Sequence, residues 1–382
     1  MSGHRNIFEE VGAGQTPSLP PQTGAVDARP RGARAGIRLW LMALFLLVAG
    51  TIMVGGLTRL TDSGLSITEW EPLSGAIPPL SAQDWDAEFE AYRETKEYKS
   101  QNKGMSLDEF KVIFWWEWGH RQLGRVIGLV WAAGFFGFAA ARKIPPGWTL
   151  RLFILGPLIG AQAAIGWWMV SSGLTGDRVD VASYRLATHL GLAFVILGFL
   201  AWYILLLGRS EADLMTARRG GERKLSGMST GVMHFTFLQI LLGALVAGID
   251  AGRAFPTWPL MGDGFFPPYP FQLEPVWRNF FEDAGLVQFI HRMSGYLLFA
   301  FGVVAWLRGR RSPHPATRAA FHAVMAMLVA QMALGISAVL TSAHLHVAIT
   351  HQIGAVLLWV LILRARHLSI YPIAGSIKKG TA

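Results

Sequence analysis

The sequence predicts an all-α integral membrane protein with eight transmembrane helices. Hydrophobic residues make up 52% of the 382 residues, whereas charged residues make up only 15%. Eight apolar stretches are long enough to cross the roughly 30 Å of hydrocarbon in a bilayer. The 15 tryptophans suit the interfacial belts of a bilayer protein. We therefore expect a chain that crosses the membrane several times.

The predicted helices follow one another along most of the chain. They are expected at 37–58, 112–141, 152–172, 186–207, 228–249, 286–307, 319–341 and 346–364. Residues 1–36 are rich in Gly, Pro, Ala and Arg and lack hydrophobic periodicity, so we predict a disordered cytoplasmic tail there. Residues 365–382 are predicted to form a second cytoplasmic tail.

The positive charges predict the orientation of the helices. Lys and Arg concentrate in the two tails and in the connections around 142–151, 209–224 and 308–318. Because cytoplasmic loops carry such an excess, both termini are predicted to be cytoplasmic, opposite the long loops 59–111 and 250–285. This distribution accounts for the net charge of +9. We expect the lipid bilayer as a partner and no nucleic acid.

The chain repeats itself after four helices. Residues 162–166 read QAAIG, and residues 331–335 read QMALG. We predict an N-terminal half, 37–207, and a C-terminal half, 228–364, joined by a charged cytoplasmic linker, 208–227. Because each half crosses the membrane an even number of times, both keep one orientation and are related by a pseudo-two-fold axis along the membrane normal. We expect two tandem four-helix bundles, which disfavours an inverted-repeat transporter.

Four histidines lie near the outer ends of even-numbered helices. They are His120 and His189 in the N-terminal half and His291 and His351 in the C-terminal half. A neutral imidazole can bind haem iron as an axial ligand, and polar side chains inside a bilayer are costly enough to indicate function. The pattern predicts two bis-histidine haem sites towards the outer leaflet. With 0 cysteines, the chain offers no thiolate ligand, iron–sulfur cluster or disulfide.

One acidic residue distinguishes the two halves. Glu117 precedes His120 by three positions, whereas the corresponding residue before His291 is Gln288. Residues at i and i+3 share a helix face, so we expect the carboxylate beside the first site and predict that the N-terminal half is the reactive one. An ion pair with Arg121 is the alternative role for this carboxylate. A di-iron centre would need the Glu-x-x-His pair twice, which disfavours that class.

Two motifs resemble a known family. Residues 55–66 read GGLTRLTDSGLS, and residues 115–125 read WWEWGHRQLGR. With the later His-Arg and Thr-His elements, they are similar to the haem A synthases from about residue 37 to residue 365, specifically to the cysteine-free branch found in mitochondria and related bacteria. The resemblance implies an enzyme of the cell inner membrane that oxidises the C8 methyl group of haem O to a formyl group by successive hydroxylation, giving haem A for terminal oxidases.

The resemblance also implies roles for particular residues. It makes Glu117 the catalytic carboxylate, His120 and His189 the iron ligands of the substrate haem O, and His291 and His351 the iron ligands of a haem b cofactor. Haem O synthase, oxidase assembly factors and an electron acceptor are the implied partners, and a homo-oligomer stays open.

Several arginines near the outer helix ends are candidates for binding haem propionates, because a guanidinium binds a carboxylate through two parallel hydrogen bonds. They could equally neutralise carboxylates of the outer loops. These candidates are Arg59, Arg121, Arg125 and Arg292.

Two other function classes fit part of the pattern. A di-haem cytochrome b that transfers electrons between quinol and an acceptor also needs two bis-histidine sites, but it gives no reason for Glu117 in one half and Gln288 in the other. A haem carrier needs the ligands and no reactive acid. The haem content of the purified protein separates these classes, because haem O and haem A beside haem b indicate the synthase.

Overall fold

The computed structural model describes residues 31–175 and 179–373, and within these ranges the chain is predominantly α-helical. Eight helical segments are long and apolar enough to cross a membrane, which confirms the predicted all-α membrane fold. The long helices are α1 (Arg31–Leu60), α2 (Leu107–Ala140), α3 (Leu155–Leu174), α4 (Ser183–Leu207), α5 (Arg223–Gly248), α6 (Ala284–Gly309), α7 (Pro315–Leu340) and α8 (Leu345–Ile370).

The first and last helices extend beyond their predicted bounds. Helix α1 begins at Arg31, so residues 31–36, expected within a disordered tail, are helical. The Arg34 guanidinium donates to the backbone carbonyl of Arg209 at 2.8 Å and forms an ion pair with Glu211 at 3.3 Å, which anchors these polar turns on the linker. Helix α8 likewise continues to Ile370. The remaining tail residues, 1–30 and 374–382, lie outside the described residues.

The connections contain short helices and few extended segments. These helices are Ser74–Ala76, Ala82–Arg93, Lys96–Ser100, Thr149–Phe153, Glu211–Arg219, Ala251–Ala254, Val276–Arg278 and Asn279–Glu282. Ala82–Arg93 packs on the start of α2 through a buried aromatic cluster that includes Phe89, Tyr92, Phe110 and Phe114. The first outer loop therefore contains a helix that is attached to the helix carrying Glu117 and His120.

The long helices contact one another in two sets of four. Helix α1 contacts α2 and α4, and α3 contacts α2 and α4; the helices α5 to α8 repeat this arrangement. The two sets meet where α4 contacts α5 and α8, and where α1 contacts α8. The Trp359 indole donates to the Phe194 carbonyl at 3.1 Å across this junction. Two tandem bundles would produce such contacts, and the pseudo-two-fold axis along the membrane normal stays a prediction.

Candidate functional site

The predicted histidines come together in pairs, one pair in each half. The rings of His120 on α2 and His189 on α4 have centroids 6.4 Å apart and planes inclined by 69°. His291 on α6 and His351 on α8 are close enough to interact electrostatically. Each pair thus joins the second and fourth helices of its half. His120 lies further along its helix than expected, because α2 begins at Leu107 rather than near residue 112.

Each of these imidazoles lies against a glycine of the preceding helix. A Cβ atom added to the glycine would approach Cε1 of the ring to 2.7 Å for Gly55 and His120, 2.8 Å for Gly166 and His189, 3.1 Å for Gly243 and His291, and 3.4 Å for Gly335 and His351. Glycine permits this approach because it has no Cβ. The backbone of the preceding helix therefore supports one edge of every ring.

Three of the histidines are also held by a glutamine, which stands one helical turn before the supporting glycine. The amide Nε2 atoms of Gln162, Gln239 and Gln331 donate to the backbone carbonyls of His189, His291 and His351 at 2.9, 3.0 and 3.0 Å, respectively. These hydrogen bonds join the helix that carries the histidine to its neighbour. The corresponding residue for the fourth histidine is Thr51.

The residues around the histidine pairs fit a haem group. The Nδ1 atoms of His120 and His351 are buried and have no hydrogen-bond partner among the described residues. No group of three or more His, Cys, Asp or Glu residues in the described ranges could hold a metal ion. Two imidazoles per half match the two axial positions of haem iron.

Glu117 is buried beside the first pair and makes several hydrogen bonds. Its Oε2 accepts hydrogen bonds from the Ser66 hydroxyl at 2.8 Å and the Ile67 amide at 2.9 Å, and its Oε1 accepts one from Arg121 Nε at 3.1 Å. Arg121 also donates to the carbonyls of Ile67 and Glu69 at 3.0 and 3.2 Å. The ion pair considered as the alternative role is therefore present. Together, Glu117 and Arg121 bind the segment after α1 to the helical turn that carries His120.

Gln288 and Arg292 occupy the corresponding positions in the C-terminal half. Gln288 Nε2 donates to the carbonyls of Gly252 and Phe255, both at 3.4 Å, while its Oε1 is buried with no partner in the described ranges. Arg292 donates to the carbonyls of Phe255 and Leu260 at 2.8 and 3.3 Å. Both halves thus hold the loop after their first helix in the same way. The N-terminal loop offers donors to Glu117, whereas the C-terminal loop offers acceptors to Gln288.

The other two candidate arginines also contact groups of the protein. Arg59 forms ion pairs with Asp62 at 2.9 Å and with Asp250 at 2.8 Å, so it links the outer loops of the two halves. Arg125 donates to the carbonyls of Glu71 and Pro72 at 2.8 and 3.1 Å. The contact of Arg59 with loop carboxylates is the second of the two roles considered for these side chains. Binding of haem propionates stays a prediction.

Sequence reasoning missed the contacts that the preceding helices make with the histidines, namely those of the glutamines and the supporting glycines. The repeated Gln-x-x-x-Gly pattern was visible at Gln162 and Gln331, but no contact was predicted from it, and Gln239 was not singled out because its flanking residues differ. Ser66 ends the motif 55–66, and its hydroxyl contacts Glu117. A search for Gln-x-x-x-Gly in the odd-numbered helices would have found all three glutamines.

The comparisons with known proteins agree with the resemblance. Residues 38–363 match the COX15-CtaA family, which is described as cytochrome oxidase assembly protein. The chain belongs to this family.

The relatives match almost end to end and are named haem A synthase. The chain is 64% identical to the protein of Ruegeria sp. (strain TM1040), over 98% of this chain and 99% of the relative. It is 63% identical to that of Roseobacter denitrificans, over 99% and 100%. For Cereibacter sphaeroides (strain ATCC 17029 / ATH 2.4.9), the values are 60% identity over 99% and 98%.

Proposed function

We propose that this protein is a haem A synthase, which oxidises the C8 methyl group of haem O to the formyl group of haem A by successive hydroxylation. Family membership and identities of 60% to 64% with full-length proteins of that name support the proposal. The observation that carries it is the buried Glu117 beside the pair His120 and His189, because the other half has Gln288 in its place. The function of a di-haem cytochrome b gives no reason for this difference between Glu117 and Gln288.

In the proposed substrate site, His120 and His189 would hold the iron of haem O. Gly55 and Gly166 support the two rings, so that the imidazoles face each other across the bundle. The Gln162 amide fixes the backbone at His189. This arrangement would place one haem between α2 and α4, on the side of the bundle where the first outer loop is attached.

Glu117 is the proposed acid–base group. Oxidation of a methyl group to a formyl group removes both electrons and protons from the substrate. The electrons would pass to the electron acceptor that the resemblance implies, and a carboxylate beside the substrate can accept a proton or position a water molecule. Ser66, Ile67 and Arg121 hold both carboxylate oxygens in one orientation. Because these partners are all hydrogen-bond donors, they complement a negative charge on Glu117. The same contacts keep the loop after α1 over the site.

In the C-terminal half, His291 and His351 are the proposed ligands of haem b. When bound, haem b supplies a centre that takes up or passes on single electrons removed from the substrate. Gln239 and Gln331 fix the backbones of the two ligand residues, and the Ser294 hydroxyl donates to Gln239 Oε1. These hydrogen bonds connect both proposed ligand residues to the neighbouring helices.

We propose that the protein lies in the cell inner membrane with both termini cytoplasmic and both haem sites towards the periplasm. The chain has 0 cysteines, so single introduced cysteines can report the side of a loop. Tyr269 in the second outer loop is 79% exposed, and Met215 in the linker is 67% exposed. An impermeant maleimide added to intact cells should label Tyr269→Cys and spare Met215→Cys. Labelling of Met215→Cys alone would invert the orientation.

The haem content of the protein tests the proposed activity. The protein is purified from a host that lacks its own haem A synthase and co-expresses a haem O synthase, and its haems are extracted and separated by chromatography. We expect haem O and haem A beside haem b, and no haem A in the same host without this chain. Haem b alone in the extract would support the di-haem cytochrome b instead.

A further inference from the structure

We propose that His120 is the exchangeable iron ligand of the N-terminal haem site, and that Thr51 is the positioning residue that leaves it exchangeable. The inference rests on the proposed function, because a haem substrate has to bind and leave at every turnover, whereas a haem cofactor stays. An exchangeable ligand needs a helix position that is free to move, and the four histidines differ in this respect.

The first observation is the set of amide hydrogen bonds at the other three histidines. In each case a glutamine of the preceding helix donates to the backbone carbonyl of the histidine itself, at 2.9 to 3.0 Å. Such a bond joins two helices at the level of the iron ligand. It opposes any local separation of these helices, which displacement of the ligand would require.

The second observation is what replaces the amide at His120. The Thr51 hydroxyl donates to the Leu47 carbonyl of its own helix at 2.8 Å, so it is not available to α2. The His120 ring contacts the Thr51 backbone carbonyl, just as the His189 ring contacts the Gln162 backbone carbonyl. This ring contact is shared, so it does not replace the missing side-chain amide. His120 therefore has the glycine support of the other three histidines and lacks their side-chain amide.

The third observation is that the space for an amide is left open. In the C-terminal half, a Cβ added to Gly295 would lie 3.2 Å from the Gln239 amide nitrogen, and the Ser294 hydroxyl donates to the oxygen of the same amide at 2.5 Å. The corresponding residues after His120 are Gly124 and Leu123, and a Cβ on Gly124 would meet no described atom within 4 Å. At His120, therefore, both the glutamine and its serine partner are absent, since Thr51 and Leu123 stand in their places.

Carbon monoxide binding to the reduced protein tests this inference. Carbon monoxide binds ferrous haem only where an axial ligand can leave, so in the wild-type protein we expect it to bind the N-terminal haem and not haem b. Thr51→Gln should weaken this binding about fivefold, since the new amide can reach the His120 carbonyl through the open space beside Gly124 and add one hydrogen bond of about 1 kcal/mol. Thr51→Met is the matched control, because methionine has a similar length and no amide, and it should keep the wild-type spectrum.

The rate of haem transfer to excess apomyoglobin gives a second measurement. One added hydrogen bond of about 1 kcal/mol should slow loss of the N-terminal haem about fivefold in Thr51→Gln and leave Thr51→Met unchanged. The reverse substitution, Gln239→Thr, should make haem b reactive towards carbon monoxide. It keeps the inference testable if the variants at Thr51 do not fold.

Two results would overturn the inference. One is a wild-type N-terminal haem that does not bind carbon monoxide; the other is a folded Thr51→Gln protein that binds it as the wild type does. These results are independent of the proposed reaction. If the wild type produces haem A but Thr51→Gln binds carbon monoxide as the wild type does, only this inference is contradicted. If Thr51→Gln and the wild type differ in carbon monoxide binding but no haem A is produced, only the proposed function is contradicted.

Discussion

The two halves of the molecule share their framework and differ in the residues closest to one histidine. In both halves an arginine of the second helix holds the loop after the first helix, and glycines support both imidazoles. The N-terminal half has Glu117 and Thr51, where the C-terminal half has Gln288 and Gln239. Glu117 supplies an acid and Thr51 lacks an amide, which suits a site that reacts with its haem and then releases it. Gln288 and Gln239 supply two amides, which suits a site that binds a haem and retains it.

Glu117 and Gln288 differ not only in their own side chains but also in the groups that surround them. The loop beside Glu117 presents the Ser66 hydroxyl and the Ile67 amide, which are donors, whereas the loop beside Gln288 presents two backbone carbonyls. An exchange of the two side chains would bring like groups together. Each unmatched group buried in this way costs about 1–3 kcal/mol. The difference between the halves therefore extends to the loops that cover the sites.

The largest expected effect is the loss of haem b from the C-terminal half. We expect His291→Ala and His351→Ala each to abolish the low-spin haem b spectrum, because a six-coordinate site needs both imidazoles. Optical and electron paramagnetic resonance spectra of the purified variants measure this loss.

A histidine outside the site provides the control for this prediction. His234 on α5 is exposed, and its Nδ1 lies 2.9 Å from the Thr230 carbonyl of its own helix. His234→Ala should keep the haem b spectrum. A full low-spin signal in both His291→Ala and His351→Ala would show that the iron ligands are wrongly assigned.

The supporting glycines should give a graded effect. A Cβ at Gly243 would approach the His291 ring to 3.1 Å, closer than ordinary packing, whereas a Cβ at Gly335 would lie 3.4 Å from the His351 ring, an ordinary contact. Gly243→Ala should shift the haem b spectrum and cost about 1–3 kcal/mol of stability, as overpacking does. Gly335→Ala should resemble the wild type. Equal spectra for the two variants would mean that the glycines do not position the rings.

The smallest expected effect concerns the first outer loop, where Glu97 is 4% exposed. Burial, reinforced by the negative charge of Glu117, raises the pKa of Glu97 to about 8 from its usual 4.5. The folded loop therefore keeps a proton that the unfolded chain has lost, so its stability is full below about pH 4.5 and decreases as the pH rises through about 8. Thermal denaturation at several pH values should show this decrease, and Glu97→Gln should reduce it. Identical pH profiles would exclude this role of Glu97.

The sequence predicted the number and type of the long helices because hydrophobic length is a local property. It placed the ends less well. The polar turns 31–36 and 365–370 are helical because Arg34 contacts the linker and because the last turns of α8 pack on α5 and α7. Such contacts join residues far apart in the chain, and hydropathy does not register them.

The candidate site was predictable where spacing along one helix carried the information. The i, i+3 spacing put Glu117 beside His120, and the repeat suggested which histidines belong to one half. The glutamine contacts could not be predicted in this way, because each joins two helices whose rotation is set by packing. The missing amide at Thr51 is recognised only by comparison with Gln239, which occupies the equivalent place in the other half and donates to the His291 carbonyl.

The haem content of Glu117→Gln tests the central claim most directly. The substitution is nearly isosteric, so membrane insertion and haem b content should remain, while the acid–base group is lost. We expect haem O or a partly oxidised haem to accumulate, with little haem A. A wild-type yield of haem A would contradict the account, and Glu117 would then serve to hold the loop after α1 through its ion pair with Arg121.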